Sequence, residues 1–270
     1  MGRMVGRLGR VLRGAGAGGG LRAGAADRGN GAEAAAKVGA ITGAGTAADG
    51  LAADLSALSR ARPSWGAVAF GLGAAQAAFA ATFRGPRERF WPRMTTTGLV
   101  LGTYAILARP TLRHTRVRPV HVLLGASSAG VLYATFAVGD RFARRFVPGG
   151  SSDIADIYAL RELRPRGEIA ARLVTVIAPA EELFWRGLVQ EGLMLRFGRW
   201  RGAVLATAAY GGVHAVTGNF TLMGAAGVAG AHWSALYAAG VPLGALIVSH
   251  QLWDVWIFLV QPTGTTTAPA

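Results

Sequence analysis

Among the side chains of the C-terminal half, Glu181, Glu182, Arg186, His214, His250 and Asp254 stand out, because each interrupts an otherwise apolar stretch. An ionised group at the centre of a membrane-spanning helix costs at least about 2.5 to 3.5 kcal/mol, so each one needs a reason to be there. Packing explains one or two such residues, but not a set of them on consecutive stretches.

Read as helix at about 100° per residue, the run from Pro179 to Arg186 puts Glu182 and Arg186 on nearly the same face. The acid lies on the N-terminal side, the favourable order for an ion pair four residues apart. Glu182 and Arg186 are therefore expected to form a structural pair, while Glu181, pointing about 100° away, is left free to face a cavity. That separates a structural acid from a candidate general base. Pro179 lacks a backbone N–H and should kink the helix beside Glu181, making room for water. In Tyr210-Gly211-Gly212-Val213-His214 the aromatic and the histidine share a face, and the paired glycines let a neighbouring helix come close. His250 and Asp254, again four apart, can act together. His114 and His121 flank an apolar stretch beside arginines and read as headgroup-level residues; His232, next to Trp233, reads as a packing or interfacial residue.

The elements that must hold these groups follow from composition. A mean hydropathy of +0.34 with only 16% charged residues is too apolar for an ordinary soluble domain. Helices are implied, since lipid offers no partner for unpaired backbone groups and the alternating pattern of a barrel is absent. Spanning the hydrocarbon takes about 20 predominantly apolar residues. Stretches at 65–83, 120–138, 169–195, 220–239 and 241–260 approach or reach that length, and 95–108 and 203–216 are shorter spans between them. The expected fold is all-α, a polytopic transmembrane helical bundle of about six to seven spans. Gly224, Gly227 and Gly230 favour close helix packing.

The net charge of +14 comes from arginines in the N-terminal arm and between apolar stretches. Lipid headgroups, not nucleic acid, are their nearest anionic partner. Arginines flank both ends of several spans, so they do not set orientation. The absence of cysteine excludes disulfides, thiolate zinc sites and a cysteine nucleophile. Residues 1–62 read as a basic, flexible Gly/Ala/Arg-rich arm, 63–165 as N-terminal transmembrane helices and loops, 166–262 as a catalytic transmembrane core, and 263–270 as a flexible tail.

Glu-Glu-x-x-x-Arg, then aromatic-x-x-x-His, then His-x-x-x-Asp, in that order on successive helices, resembles the CPBP (CAAX-protease and bacteriocin-processing) family of intramembrane proteases, which includes the CAAX prenyl endopeptidases. The likeness runs from about Glu168 to Val260 and takes in Leu236-Tyr237, Gly240, Pro242 and Ile247. Tyr210 stands where Phe is usual, and Asp254 where Asn is more frequent. The resemblance implies an integral multi-pass protein, with the cell membrane as its expected location. It implies an endopeptidase in which Glu181 activates water, His214 is its partner, and His250 with residue 254 steadies the developing oxyanion. Proteolysis needs a positioned base and donors aimed at the tetrahedral oxygen. An ionised Asp254 accepts hydrogen bonds and cannot donate one, so it is either protonated or orients His250. A third alternative is a metal such as Zn2+, with His214 and His250 as ligands; metal-dependent and metal-free chemistry both remain open.

The implied substrate is a membrane-anchored protein or peptide, with prenylated CAAX termini as one class. Other intramembrane proteases fit less well: His-Glu-x-x-His and Gly-x-Gly-Asp are absent, and Gly125-Ala126-Ser127-Ser128 lacks the glycine after the serine of a rhomboid loop. The alternative from another class is a membrane scaffold or immunity-type protein that keeps the fold without cleaving anything. A transporter would show an internal repeat or paired broken helices, and neither is evident.

Overall fold

The computed structural model describes residues 62–146 and 150–263, and all regular structure among them is helical. Apart from Arg62, the basic arm lies outside the described residues, as does the tail apart from Thr263. The helices are α1 (Trp65–Phe83), α2 (Phe90–Ala108), α3 (Pro119–Phe146), α4 (Gly150–Tyr158), α5 (166–197), α6 (Arg199–Val213), α7 (Phe220–Ala238) and α8 (Leu243–Val255).

Seven of these fall on the apolar stretches expected to span. Among the described residues, α1, α3 and Leu243–Val260 are long and apolar enough to cross a membrane by length and composition. Only 17% of the apolar window of α3 is buried within the protein, and Val122, Leu123, Val131 and Phe142 face outward. A helix that is apolar on its exposed side is suited to lipid rather than water. The eighth helix, α4, was not anticipated, being short and punctuated by Asp153 and Asp156. It is fastened to the start of α7: Thr221 Oγ1 donates to Asp153 Oδ2 at 2.8 Å, and Asn219 Nδ2 donates to the Asp153 carbonyl at 3.0 Å.

Local chemistry sets the helix ends. Ser64 Oγ accepts from the Ala67 N–H at 3.1 Å and caps α1, and Asn219 Oδ1 accepts from the Leu222 N–H at 2.6 Å and caps α7. Gly198, at φ 87°, ends α5 and starts α6 in a conformation that a β-carbon would strain.

Inside α5 the helix is not uniform. Arg166–Arg172, Ala178–Glu182 and Glu191–Phe197 are α-helical, whereas Leu173–Ile177 and Leu183–Gln190 are π-helical. Pro179 cannot donate the backbone bond of a regular turn, and the ladder widens just before it. The irregularity expected at Pro179 therefore takes the form of wide turns on both sides of the two glutamates, within an unbroken helix.

The core wraps this helix. Phe184, Trp185 and Leu188 of α5 are buried against Phe79 of α1 and Leu101 of α2, and a smaller cluster joins Leu132, Trp233 and Leu246. A β-carbon on Gly102 would lie 2.8 Å from Ala180 Cβ, so α2 presses directly on the turn that carries Glu181. Gly211 does the same for α6 and α7: a β-carbon there would meet Gly227 Cα at 3.2 Å.

Candidate active site

Both carboxylates of the turn Ala178–Glu182 are buried, Glu181 at 6% exposure and Glu182 at 0%. Their surroundings differ. Glu182 Oε1 accepts from Arg186 Nη1 at 3.0 Å, and the same oxygen lies 2.8 Å from His250 Nδ1. The ion pair read from the sequence thus has a third member, which ties α5 to α8. Arg186 also donates to the Gly230 carbonyl at 3.4 Å, and its guanidinium lies over the rings of Tyr210 and Trp233, 4.9 and 5.2 Å from their centres. Removing a guanidinium from water at 1% exposure requires this many partners.

Glu181 takes no part in that pair. Its Oε2 accepts from Tyr210 Oη at 2.9 Å. Four residues on, His214 lies at the C-terminal end of α6 rather than within it, and its Nδ1 sits 2.8 Å from the Tyr210 carbonyl. Helix ends leave carbonyls without intrahelical donors, and a histidine there can supply one. With Nδ1–H so committed, Nε2 is the free nitrogen of His214. Among the described residues no hydrogen bond joins His214 to Glu181, although both line one cavity.

His250 is held from three sides. Nδ1 faces Glu182, Nε2 is 3.6 Å from Asp254 Oδ1, and the ring stacks on Trp233 with centroids 4.0 Å apart. The separation from Asp254 exceeds a hydrogen bond, so the pair is electrostatic. Trp233 is fixed in turn: its Nε1 donates to Ser249 Oγ at 3.0 Å, Ser249 Oγ lies 2.8 Å from Ser128 Oγ, and Ser128 Oγ lies 2.9 Å from His232 Nε2. His232, read from sequence as a packing or interfacial residue, ends this polar thread, and Ser128 belongs to it as a hydrogen-bonding residue. His121 is buried at 8% exposure, with Nδ1 3.3 Å from the Arg118 N–H, whereas His114 is exposed and accepts from Arg113.

Glu181, His214, His250 and Asp254 all line a cavity of about 620 Å³ whose other walls are largely apolar, among them Phe90, Trp91 and Phe136. Asp140 also lines it, buried and bound by Arg144 Nε at 2.9 Å. Sequence reading missed the Glu182–His250 contact, the Tyr210 hydroxyl and the stacked Trp233. Tyr210 did carry a signal, as a polar aromatic within an apolar stretch; the contacts between helices did not.

A zinc-type site needs at least three convergent nitrogen or oxygen ligands. Among the described residues no three His, Asp or Glu side chains are gathered in that way; with Nδ1 of His250 and His214 facing Glu182 and the Tyr210 carbonyl, Nε2 is the nitrogen that each ring would offer a metal.

The site thus gathers buried carboxylates and histidines around a largely apolar cavity within a helical bundle of membrane character. Residues 168–256 match the family model for type II CAAX prenyl endopeptidase Rce1-like, which supports membership of the CPBP proteases for this part of the chain. No curated protein and no solved structure matches.

Proposed function

We propose that the protein hydrolyses a peptide bond of a membrane-associated substrate with water activated by Glu181. The observation that carries this reading is the gathering of Glu181, His214, His250 and Asp254 on one largely apolar cavity. Water held at Glu181 gives up a proton to the carboxylate as its oxygen attacks the scissile carbonyl carbon, and the carbonyl electron pair moves onto oxygen. His214 offers Nε2 as a second polar contact for the water. His250, with Nδ1–H directed at Glu182, presents Nε2 toward the cavity, and a proton there is the donor for the tetrahedral oxygen. Asp254 orients that ring. Collapse of the intermediate returns the proton from Glu181 to the leaving amine. A site shielded from bulk water strengthens each of these electrostatic contacts.

The apolar walls favour a substrate that brings an apolar anchor, and the family description points to the prenylated CAAX class. The catalytic unit is assigned to 166–262, the preceding helices at 63–165 completing the cavity wall and the lipid-facing surface. Six or seven spans in the cell membrane are part of the same reading.

The test is cleavage by purified, detergent-solubilised protein of a panel of fluorogenic peptides, prenylated and unprenylated, by wild type and Glu181→Gln. Cleavage by wild type that disappears in a folded Glu181→Gln protein supports the proposal. Equal cleavage by both removes Glu181 from the chemistry, and a cellular phenotype that survives Glu181→Gln favours a scaffold.

A further inference from the structure

We infer that Tyr210 is a positioning residue for the general base: its hydroxyl holds Glu181 Oε2, so that Oε1 alone is presented to the attacking water. This inference rests on the reading of Glu181 as the base. It concerns the position where this chain has tyrosine and the resemblance would lead one to expect phenylalanine.

The contact is 2.9 Å, and both residues are 6% exposed, so little bulk water competes for either group. A carboxylate has two equivalent oxygens and rotates about its terminal torsion with little restraint. Binding one of them from a fixed donor removes that freedom and fixes which oxygen receives the proton. The donor is fixed because the phenol ring is. The Trp185 ring packs edge-on at 5.2 Å, the Arg186 guanidinium lies 4.9 Å from the ring centre, and a β-carbon on Gly230 would come within 2.8 Å of Tyr210 Cδ1. Glycine at 230 thus leaves the space that the ring occupies.

Tyr210 has a second contact in the site. Its carbonyl receives His214 Nδ1 at 2.8 Å, so one residue fixes the base through its side chain and the histidine through its backbone. The two roles can be separated. Phenylalanine keeps the ring, the Gly230 fit and the carbonyl contact, and loses only the hydroxyl.

The experiment has two readouts. The first needs no substrate: thermal stability in detergent for wild type, Tyr210→Phe, Glu181→Leu and the double variant. Losses that fall short of additive when combined show that the hydroxyl and the carboxylate are coupled; strict additivity overturns the proposal. The second is cleavage of the fluorogenic panel. Hydrogen bonds to charged groups contribute about 1.5–3 kcal/mol, which corresponds to a fall in kcat of roughly ten- to a hundredfold for Tyr210→Phe, with KM unchanged. A rise in KM at constant kcat assigns the hydroxyl to packing or substrate binding and overturns the proposal. In the Glu181→Asp background, where the shorter side chain draws back from the phenol, adding Tyr210→Phe is expected to cost little more. Failure of the underlying reading looks different: Glu181→Gln then cuts as wild type does. If instead Glu181→Gln is inactive and Tyr210→Phe keeps full kcat, the base stands and the positioning role falls.

Discussion

His250 Nδ1 lies 2.8 Å from Glu182 Oε1, the oxygen that also receives Arg186 at 3.0 Å. The second glutamate is therefore the junction between a buried cation and a histidine of the site. Glu182→Gln leaves Arg186 buried without its counter-charge, and removing one partner of a buried pair costs about 3–5 kcal/mol. Chemical or thermal unfolding in detergent checks this. A loss below about 1 kcal/mol, the range of exposed pairs, would mean that Gly230 and the two aromatic rings are sufficient for Arg186.

Asp254 is 3.6 Å from His250 Nε2, too far for a hydrogen bond. An uncharged amide of the same shape gives up that electrostatic contact but could itself donate to an oxyanion. Asp254→Asn is accordingly expected to keep cleavage in the peptide assay. Complete loss in a folded variant would instead assign the carboxylate charge an essential part.

Ser249 is fully buried and links Trp233 Nε1 to Ser128 Oγ. In Ser249→Ala the indole N–H is left without its acceptor, at about 1–3 kcal/mol. Ser128→Ala, in a half-buried position, should cost less. Equal melting temperatures for Ser249→Ala and wild type would show that the thread does not hold Trp233.

The mechanism proposed for Glu181 routes no step through a metal, so cleavage is expected to persist after dialysis against a strong chelator. Activity lost with the chelator and restored by Zn2+ alone would overturn the metal-free mechanism and give Nε2 of His214 and of His250 a ligand role.

Much of the architecture was legible because lipid imposes it. Apolar stretches of spanning length must be helical, and Trp65–Phe83 emerged with its expected bounds. The short α4 was not legible, since its nine residues make sense only once Asp153 is seen holding Asn219 and Thr221. The site was partly legible. Spacing of four put Glu182 near Arg186 and His250 near Asp254, because such spacing is local to one helix. The contacts of Glu182 with His250 and of Tyr210 with Glu181 join different helices, separated by 68 and 29 positions, and no local period encodes them. Nor does α-helical periodicity hold across Leu183–Gln190, where the helix is π-wound.

The stacking of Trp233 on His250 makes the site an optical one. An indole lying at 4.0 Å from an imidazole and facing a guanidinium emits according to the charge and occupancy of its neighbours. A protonated imidazole in such contact quenches indole fluorescence, and Trp253, edge-on to Trp233, stands on the wall of the cavity. Of the chain's seven tryptophans, Trp91 and Trp253 on the cavity wall and Trp233 behind His250 are the ones whose emission is expected to respond on titration with a candidate ligand, before any bond is cut.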